Sequence, residues 1–452
     1  MTLLNELSAE VCQRARMSRD PRFDGRFFVA VKTTGIFCRP ICPANLPKEE
    51  NVEYFSSQAL AVSAGYRPCL RCRPESAPHS WAWKGAETTF LRALTLIEQG
   101  ELDGSLETLA SRLGISDRYL RQLFQRHLGM PPKQYAQIQQ LMFAKQLLHT
   151  SQISITEVAY ASGFQSTRRF NDAFQKLFRL TPTQVRRERA ALPSRNHLSL
   201  AFRGPFDWAH MLDFYRLRAI EGMELIDEQI YQRHFVLGEG TGWFKASMAQ
   251  SHLDIEFEME RLSDLRHLVA RLRRMFDLDA DLISIEAHLE QLAPGLVRRT
   301  GIRIPGVWNA WEAGVRAVLG QQVSVKAAIG QLNLLVSTLA ASEGSTRYFP
   351  TPEQVQMSDL SFLRMPERRK ETLKRLADYV RLHPMDSPMA WLSLSGIGPW
   401  TVDYAQLRGE SRSHCFLTGD LIVKKALAKF PQLTAESVAP WGSYATFHCW
   451  SH

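Results

Sequence analysis

The chain has 452 residues, of which 45% are hydrophobic, 10% aromatic and 22% charged. Chains of this composition bury enough apolar surface to fold, so an intrinsically disordered protein is excluded. A single core rarely grows past about 300 residues, which predicts several domains. The 55 Lys and Arg residues exceed the 46 Asp and Glu residues and give a net charge of +9. Such a basic excess predicts a polyanionic partner, most simply nucleic acid.

The sequence contains no candidate membrane span, because no apolar run reaches the ~18 residues that a transmembrane helix needs. The N-terminal segment is charged and lacks the apolar core of a signal peptide. We therefore expect a cytoplasmic protein that makes no membrane contact. In that compartment the seven cysteines are thiols or metal ligands rather than disulfides.

Two weakly periodic stretches that contain Pro and Ser, 74–85 and 190–197, divide the sequence, and a softer boundary lies at 278–305. The basic excess is concentrated in one block. The segment between Ser111 and Arg189 contains thirteen basic and four acidic residues. The difference, +9, equals the net charge of the whole chain. We predict four domains, over residues 1–76, 86–189, 198–278 and 279–452.

The first block holds two close cysteine pairs, Cys38-x3-Cys42 and Cys69-x2-Cys72. Two such pairs let two turns donate four thiolates to one Zn²⁺, so the spacing predicts a zinc site. On spacing alone the ordinary interpretation of a four-cysteine site is a structural one.

The segments F-V-A-V-K-T-T-G-I-F-C-R-P, from Phe28, and G-Y-R-P-C-L-R-C-R-P, from Gly65, closely resemble the N-terminal domain of the Ada family of DNA-repair proteins. The resemblance implies that Cys38 is a zinc ligand and also the nucleophile that removes a methyl group from a DNA phosphotriester. It assigns the remaining ligands to Cys42, Cys69 and Cys72.

This chemistry is physically reasonable, because coordination keeps a sulfur deprotonated and the thiolate is its reactive form. Zinc with four thiolates carries two negative charges, and methylation of Cys38 removes one of them. The irreversible transfer would therefore relieve a repulsion from DNA and act as a switch. Nearby basic residues are candidates for phosphate contacts: Lys32, Arg39, Arg67, Arg71 and Arg73.

The second block contains two helix-turn-helix patterns. In the first, a helix over 105–113 is followed by one that begins after the N-cap Ser116; in the second, Ile155–Ala161 is followed by a helix that begins at Ser166. A helix over 134–148 would join them. A plain three-helix packing unit is the alternative for one copy, and two copies in the basic block argue against it.

The arrangement, with F-x-x-x-F-x-K-x-F-R-L-T-P over Phe170 to Pro182, resembles the AraC-type DNA-binding domain, which places two recognition helices in successive major grooves. Polar residues near the first turns of those helices can reach base edges. The candidates are Arg118, Arg121 and Gln122 on the first helix and Arg168, Arg169 and Asn171 on the second, beside Asp117, Gln165 and Ser166. We expect Leu123, Phe124, Leu128, Phe174, Leu177 and Phe178 to lie in the core.

The third block mixes strand-like segments, Ile230–Leu237 and Leu253–Met259, with helices over Asp207–Ala219 and Asp264–Arg274. Alone this pattern indicates only an α+β domain. Its segment F-D-W-A-H-M-L-D-F-Y-R-x-R-A, from Phe206, resembles the N-terminal domain of the AlkA family of 3-methyladenine DNA glycosylases. The resemblance implies a scaffold with a modest DNA contact.

The last block contains L-S-G-I-G-P-W-T from Leu394, which resembles the helix-hairpin-helix of the same superfamily. Gly396 and Gly398 would let the hairpin backbone approach a phosphate and point N–H groups at it. Asp420 stands at the position of the superfamily's catalytic aspartate. Its carboxylate would stabilise an oxocarbenium ion or position the attacking water. A solitary Asp before a helix is usually an N-cap, and the two roles are compatible.

Lyase-type relatives carry a lysine nucleophile where this sequence has Trp400, so the resemblance implies a monofunctional glycosylase that leaves an abasic site. Trp400, Tyr404 and Trp450 match an aromatic cleft, which would attract alkylated, positively charged purines. Gln322 matches the loop residue that fills the gap left by a flipped base, where AlkA carries a leucine.

We therefore predict a multidomain α+β protein with a small zinc-bearing α/β domain, an all-α double helix-turn-helix domain, an α+β sheet domain and a mostly-α helix-hairpin-helix glycosylase domain. It would sense alkylated DNA, activate repair genes and excise damaged bases, with Zn²⁺ as its cofactor. The expected partners are double-stranded DNA, both damaged and promoter DNA, and RNA polymerase, and we expect a monomer. No P-C-H-R motif occurs, so repair of alkylated guanine oxygen is not predicted.

Two alternatives remain at this point. One is a methylation-switched transcription factor whose glycosylase-like half is inactive. The other is a zinc-containing repair enzyme without any regulatory role.

Overall fold

The computed structural model describes residues 7–20, 23–72, 74, 89–94, 96–97, 102, 105–187, 196–339, 342–343, 346–384 and 386–451. The chain forms two compact units, Met1–Ile138 and Gln139–His452. Their division falls inside the predicted 86–189 domain, and the four proposed domain boundaries stay predictions. Arg73 lies outside the described residues. None of the helices in the described part of the chain combines the length and the hydrophobicity of a membrane span.

The first unit begins with a small four-stranded sheet. Its elements are α1 (Ala9–Met17), β1 (Phe28–Val31), β2 (Ile36–Cys38), β3 (Val52–Phe55), α2 (Gln58–Ser63) and β4 (Arg67–Pro68). The strand order is β3-β1-β2-β4, antiparallel except for the parallel pair β2 and β4. Because side chains alternate along β1, Phe28 and Ala30 pack on one face and Val29 on the other. The sheet is thus covered on both faces.

The helix-turn-helix segments fold as the sequence predicts. They comprise α3 (Leu106–Arg112), α4 (Asp117–Leu128), α5 (Pro132–Thr150), α6 (Ile155–Ala161), α7 (Thr167–Phe178) and α8 (Pro182–Arg187). The Ser116 and Ser166 hydroxyls cap α4 and α7, each accepting from a backbone N–H at 3.2 Å. The division between the two units falls within α5. One expectation is wrong: Leu177 is 39% exposed rather than part of the core.

The second unit contains a five-stranded antiparallel sheet. Its elements are β5 (His197–Ala201), α9 (Trp208–Arg216), β6 (Glu224–Ile226), β7 (Ile230–Leu237), β8 (Gly240–Met248), β9 (His252–Met259) and α10 (Leu265–Met275). The strand order is β5-β9-β8-β7-β6. One hydrophobic core includes Phe170 and Phe174 of α7 together with Leu198 and Phe244 of the sheet. The second helix-turn-helix is therefore packed onto this domain.

Helices make up most of the remaining chain. They are α11 (Leu282–Leu292), α12 (Ala310–Gly320), α13 (Val325–Leu339), α14 (Pro352–Met357), α15 (Glu367–Leu382), α16 (Pro399–Glu410), α17 (Leu421–Leu427) and α18 (Gly442–Trp450). A short hairpin, β10 (Ser342–Glu343) and β11 (Thr346–Arg347), follows α13. α12 is buried almost throughout and packs against α16. Gly409 permits this approach, because a Cβ there would lie 2.5 Å from the Cα of Ala310.

A buried network of charges joins the sheet to α12. Arg233 of β7 donates to Glu312 of α12 at 2.5 Å and to Glu224 of β6 at 2.8 Å. Arg316, one turn after Glu312, donates to the same carboxylate at 2.9 Å. All four side chains are almost fully buried. Each buried charge is therefore stabilised by its ion-pair partners, and the loss of one partner would destabilise the fold.

Removal of one member of this network should be strongly destabilising. We expect Arg233→Met to lower the free energy of unfolding by about 3–5 kcal/mol, because the buried carboxylates Glu312 and Glu224 would each lose one of their two guanidinium partners. Arg216→Met is the matched control, since the Arg216–Asp213 pair is exposed and should contribute about 0–1 kcal/mol. Urea unfolding followed by circular dichroism measures both, and equal losses would contradict the prediction.

Candidate functional site

The four cysteines of the first unit form one cluster, in which the sulfur atoms lie within 4.8 Å of one another. β2 and β4 run parallel, so Cys38 at the end of β2 and Cys69 directly after β4 emerge at the same edge of the sheet. The N–H of Cys69 donates to the carbonyl of Phe37 at 3.0 Å and fixes this register. Cys42 and Cys72 follow within a few residues and complete the set.

The cluster is chemically suited to a dication. Hydrogen bonding to Cys72, then burial and repulsion from the other sulfurs, raise the pKa of Cys38. Four thiolates this close cannot be ionised together without a positive charge among them, and soft thiolate donors favour zinc. Arg39 does not supply that charge, because its guanidinium is held by both carboxylate oxygens of Asp24. The same pairing argues against the phosphate contact predicted for Arg39.

The residues proposed to contact DNA bases lie on exposed helix surfaces. On α4 these are Arg118, Arg121 and Gln122, and on α7 they are Arg168, Arg169 and Asn171. Arg121 forms an ion pair with Asp117 at 2.7 Å. Their roles in base recognition stay predictions.

The glycine-rich hairpin of the second unit connects a 3-10 turn, Pro388–Ser393, to α16. Gly396 has a φ of +94°, and a Cβ at this position would lie 2.1 Å from the hydroxyl oxygen of Thr372. No acceptor among the described residues bonds the N–H groups of Gly396, Gly398 or Trp400. These groups surround the start of a helix, where the helix dipole also favours an anion.

Asp420 caps α17 with one carboxylate oxygen and leaves the other free. Oδ1 accepts from the backbone N–H of Ile422 at 2.9 Å, of Val423 at 3.2 Å, and from Nε1 of Trp450 at 3.1 Å. Oδ2 has no hydrogen-bond partner among the described residues. The N-cap role and an available carboxylate oxygen thus coexist, as the sequence predicts.

A cleft of about 400 Å³ opens beside Asp420. All three aromatic residues predicted from the sequence line it. The rings of Trp400 and Tyr404 are stacked, with centroids 5.3 Å apart, and the ring of Trp450 is nearly parallel to that of Phe214 at 6.2 Å. Phe447 is also part of the lining. A planar base could therefore stack between aromatic walls.

The sequence analysis missed the contribution of α9 to this cleft. Phe214, near the end of that helix, and Arg218, just beyond it, both line the cavity. They belong to the domain that we expected to be a scaffold. The segment from Phe206 that carries the family resemblance contains both residues, so the motif itself was the available signal.

Gln322 lies at the rim of a groove next to the cleft. It is exposed in the turn between α12 and α13, with a left-handed φ of +56°. The groove is also lined by Gly396, Gly398 and Asp420, so the predicted wedge, hairpin and carboxylate share one surface. The neighbouring Gln321 ties this turn to the hairpin, because its Nε2 donates to the carbonyl of Gly396 at 3.1 Å. Sequence reasoning did not identify this link.

Comparisons with known proteins identify the components. Three family models match the chain: the metal binding domain of Ada over residues 11–75, a helix-turn-helix domain over 109–188 and the AlkA N-terminal domain over 197–309. A probable bifunctional transcriptional activator/DNA repair enzyme AlkA from Mycobacterium tuberculosis is 34% identical, and the alignment covers 98% of this chain and 96% of that protein. The chain belongs to this family.

Two Escherichia coli proteins each resemble a different part of this chain. DNA-3-methyladenine glycosylase 2 is 33% identical over 56% of this chain and 96% of its own length. The bifunctional transcriptional activator/DNA repair enzyme Ada is 35% identical over 38% of this chain and 47% of its own length. The chain is therefore a fusion of an Ada-type zinc-binding domain, a helix-turn-helix DNA-binding domain and an AlkA-type glycosylase.

The hairpin glycines give a stability test with an internal control. We expect Gly396→Ala to lower the free energy of unfolding by about 1–3 kcal/mol, because the added Cβ clashes with Thr372 and the residue has a positive φ. Gly398→Ala should cost less, about 1 kcal/mol at most, since a Cβ there contacts nothing within 4 Å. Chemical denaturation compares the two variants. A larger loss in Gly398→Ala would contradict the assignment.

Proposed function

We propose that the second unit hydrolyses the N-glycosidic bond of alkylated bases such as 3-methyladenine in double-stranded DNA, with Asp420 as the catalytic carboxylate. The free Oδ2 of Asp420 at the mouth of an aromatic cleft is the observation that carries this proposal. The family relationship to DNA-3-methyladenine glycosylase 2 supports it.

The described residues suggest how each step is assisted. The unbonded N–H groups of Gly396 and Gly398 hold a backbone phosphate, and the target nucleotide rotates out of the helix while Gln322 fills the gap. The extruded base stacks among Trp400, Tyr404 and Trp450. As the bond to C1′ breaks, the Asp420 carboxylate stabilises the positive charge on the sugar and then accepts a proton from the attacking water.

We propose that the reaction is monofunctional. A lyase needs an amine to form a Schiff base with C1′, and no lysine lines the cleft or the groove among the described residues. Trp400 stands where lyase-type relatives carry that amine. The product would be an uncut strand with an abasic site.

In the first unit, we propose that the zinc ligands are Cys38, Cys42, Cys69 and Cys72, and that Cys38 is the methyl acceptor. When bound, Zn²⁺ holds the sulfurs as thiolates at neutral pH. The Cys38 sulfur attacks the methyl carbon of a methylphosphotriester, the C–O bond breaks, and the electron pair returns to the phosphate oxygen. The products are a thioether and an ordinary phosphodiester, so the transfer occurs once per protein.

We propose that this transfer switches on sequence-specific DNA binding through α4 and α7. Arg118, Arg121 and Gln122 would read one major groove, and Arg168, Arg169 and Asn171 the next. Bound at a promoter as a monomer, the protein would recruit RNA polymerase. The free thiols of the chain suit a reducing compartment, which favours the cytoplasm.

Base release should depend on Asp420. We expect Asp420→Asn to slow release of free 3-methyladenine from methylated duplex DNA by about 10²-fold or more, because an amide cannot stabilise the sugar cation. Asn is also a good N-cap, so α17 should persist. Chromatography of the released bases measures the rate.

The matched control is Asp281→Asn, which alters the N-cap of α11 at an exposed site. It should release bases at the wild-type rate. Equal release by wild type and Asp420→Asn would contradict the catalytic assignment. No release by either protein would favour the alternative in which this half is an inactive scaffold.

Methyl transfer should raise DNA affinity. After incubation with DNA that contains methylphosphotriesters, we expect one added methyl group on the Cys38 peptide by mass spectrometry. The methylated protein should bind duplex DNA more tightly at every salt concentration, because one negative charge is lost. Fluorescence anisotropy across a salt titration measures the change.

Cys38→Ala should accept no methyl group, whereas Cys12→Ala should behave as wild type, since Cys12 lies in α1 and outside the cluster. Equal affinities of the methylated and unmethylated forms would rule out the switch. Unchanged damage-dependent transcription in Cys38→Ala would favour the alternative of a repair enzyme without a regulatory role.

A further inference from the structure

Three guanidinium groups converge around Tyr404 at the cleft. Arg218 and Arg316 line the cavity. Arg408 is buried and donates to the Tyr404 hydroxyl at 2.8 Å. Burial raises the pKa of Tyr404, but the charges of Arg408, Arg218 and Arg316 outweigh it and hold that pKa below the usual value of a phenol. The aromatic cleft therefore has a strongly cationic wall.

The positive charge of this wall is only partly neutralised. Arg316 shares Glu312 and Glu224 with Arg233 in the buried network. Arg218 and Arg408 have no carboxylate within ion-pair distance among the described residues. Of the acidic groups that line the cleft, Asp213 is paired with Arg216 and Asp420 is the catalytic carboxylate. Arg218 is thus a cleft-lining guanidinium that has no carboxylate partner among the described residues.

Two arginine side chains already lie over one of the aromatic rings, that of Phe214. The guanidinium carbon of Arg218 lies 3.7 Å from the centroid of Phe214, and that of Arg408 lies 4.8 Å from the same centroid. The π system of Phe214 therefore already attracts the protein's own cations. The expectation that Trp400, Tyr404 and Trp450 attract cationic purines stays a prediction.

Arg218 also keeps most of its hydrogen-bond donors. Its Nη1 donates to the carbonyl of Phe214 at 3.2 Å. Its Nε and Nη2 have no acceptor among the described residues, although a guanidinium carries five N–H donors. Burial lowers the pKa of Arg218 to about 10, so the group stays charged at neutral pH. A half-buried, charged group with unpaired donors at the wall of a cleft is suited to bind a ligand oxygen or nitrogen.

The charge of the departing base determines whether such a donor assists cleavage of the C1′–N bond. A cationic lesion such as N7-methylguanine leaves as a neutral base, and a neighbouring cation gives its departure no assistance. A neutral lesion leaves as an anion, because the electron pair of the C1′–N bond stays on the base. A positively charged donor stabilises that anion as it forms.

We propose that Arg218 is a specificity-determining residue that assists the release of neutral damaged bases, by donating hydrogen bonds to the base as it departs with negative charge. The proposal rests on the base excision proposed above. The C1′–N bond breaks with both electrons on the base, and water adds to C1′ and gives its proton to Asp420. The base anion, held by Arg218, takes a proton from solvent.

Two purines that carry the same C6 oxygen but differ in charge provide the test. Duplexes with a single hypoxanthine or a single N7-methylguanine are incubated with excess protein, and single-turnover release is measured for each. We expect Arg218→Met to slow hypoxanthine release about tenfold or more and to change N7-methylguanine release less than about twofold. Arg218→Lys, which keeps the charge, should recover part of the hypoxanthine rate. Arg261→Met, which removes an exposed guanidinium that lines neither the cleft nor the groove, should match wild type on both substrates.

The outcomes separate the two proposals. Equal losses on both substrates would mean that Arg218 only maintains the cleft, and would overturn its role in specificity. Wild-type release of N7-methylguanine without any release of hypoxanthine would also overturn it. If the wild-type protein releases neither base, base excision itself fails and this inference fails with it.

Discussion

One carboxylate oxygen organises the glycosylase cleft. Oδ1 of Asp420 receives three hydrogen bonds, from Ile422, Val423 and the indole of Trp450, and so joins the start of α17 to the end of α18. A side chain held by three donors loses its rotational freedom, and the second oxygen is fixed in place with no partner among the described residues. In the proposed reaction this is preorganisation in its physical sense, since no group has to move when positive charge develops on the sugar.

The same cleft depends on interactions that lie well outside it. The ion pairs of Glu312 hold Arg316 in its wall and join α12 to β7. Gln321 fixes the wedge-bearing turn to the carbonyl of Gly396. The proposed phosphate-binding hairpin and the turn that carries Gln322 are thus connected by a hydrogen bond within one unit. α12, which is buried almost throughout, leads directly into that turn.

The sequence identified the residues that stand in short local motifs. The four cysteines follow from their spacing, Asp420 and the hairpin glycines from a family resemblance, and the caps Ser116 and Ser166 from the helix starts that they set. Arg218 was missed because it reaches the cleft only through tertiary packing of a segment about 180 residues before Trp400. The prediction that Leu177 lies in the core was wrong for a related reason. Helical periodicity identifies an apolar side chain but not whether a neighbouring element covers it.

The two proposed reactions use charge in opposite ways. At Cys38, the transferred methyl group removes a negative charge from the protein, which weakens the repulsion between the zinc site and DNA. In the cleft, the protein supplies charges that match those created as the bond breaks: the carboxylate of Asp420 for the sugar and the guanidinium of Arg218 for the base. A cleft with only the carboxylate would favour lesions that are already cationic. The added guanidinium extends its chemistry to lesions that are neutral until they leave.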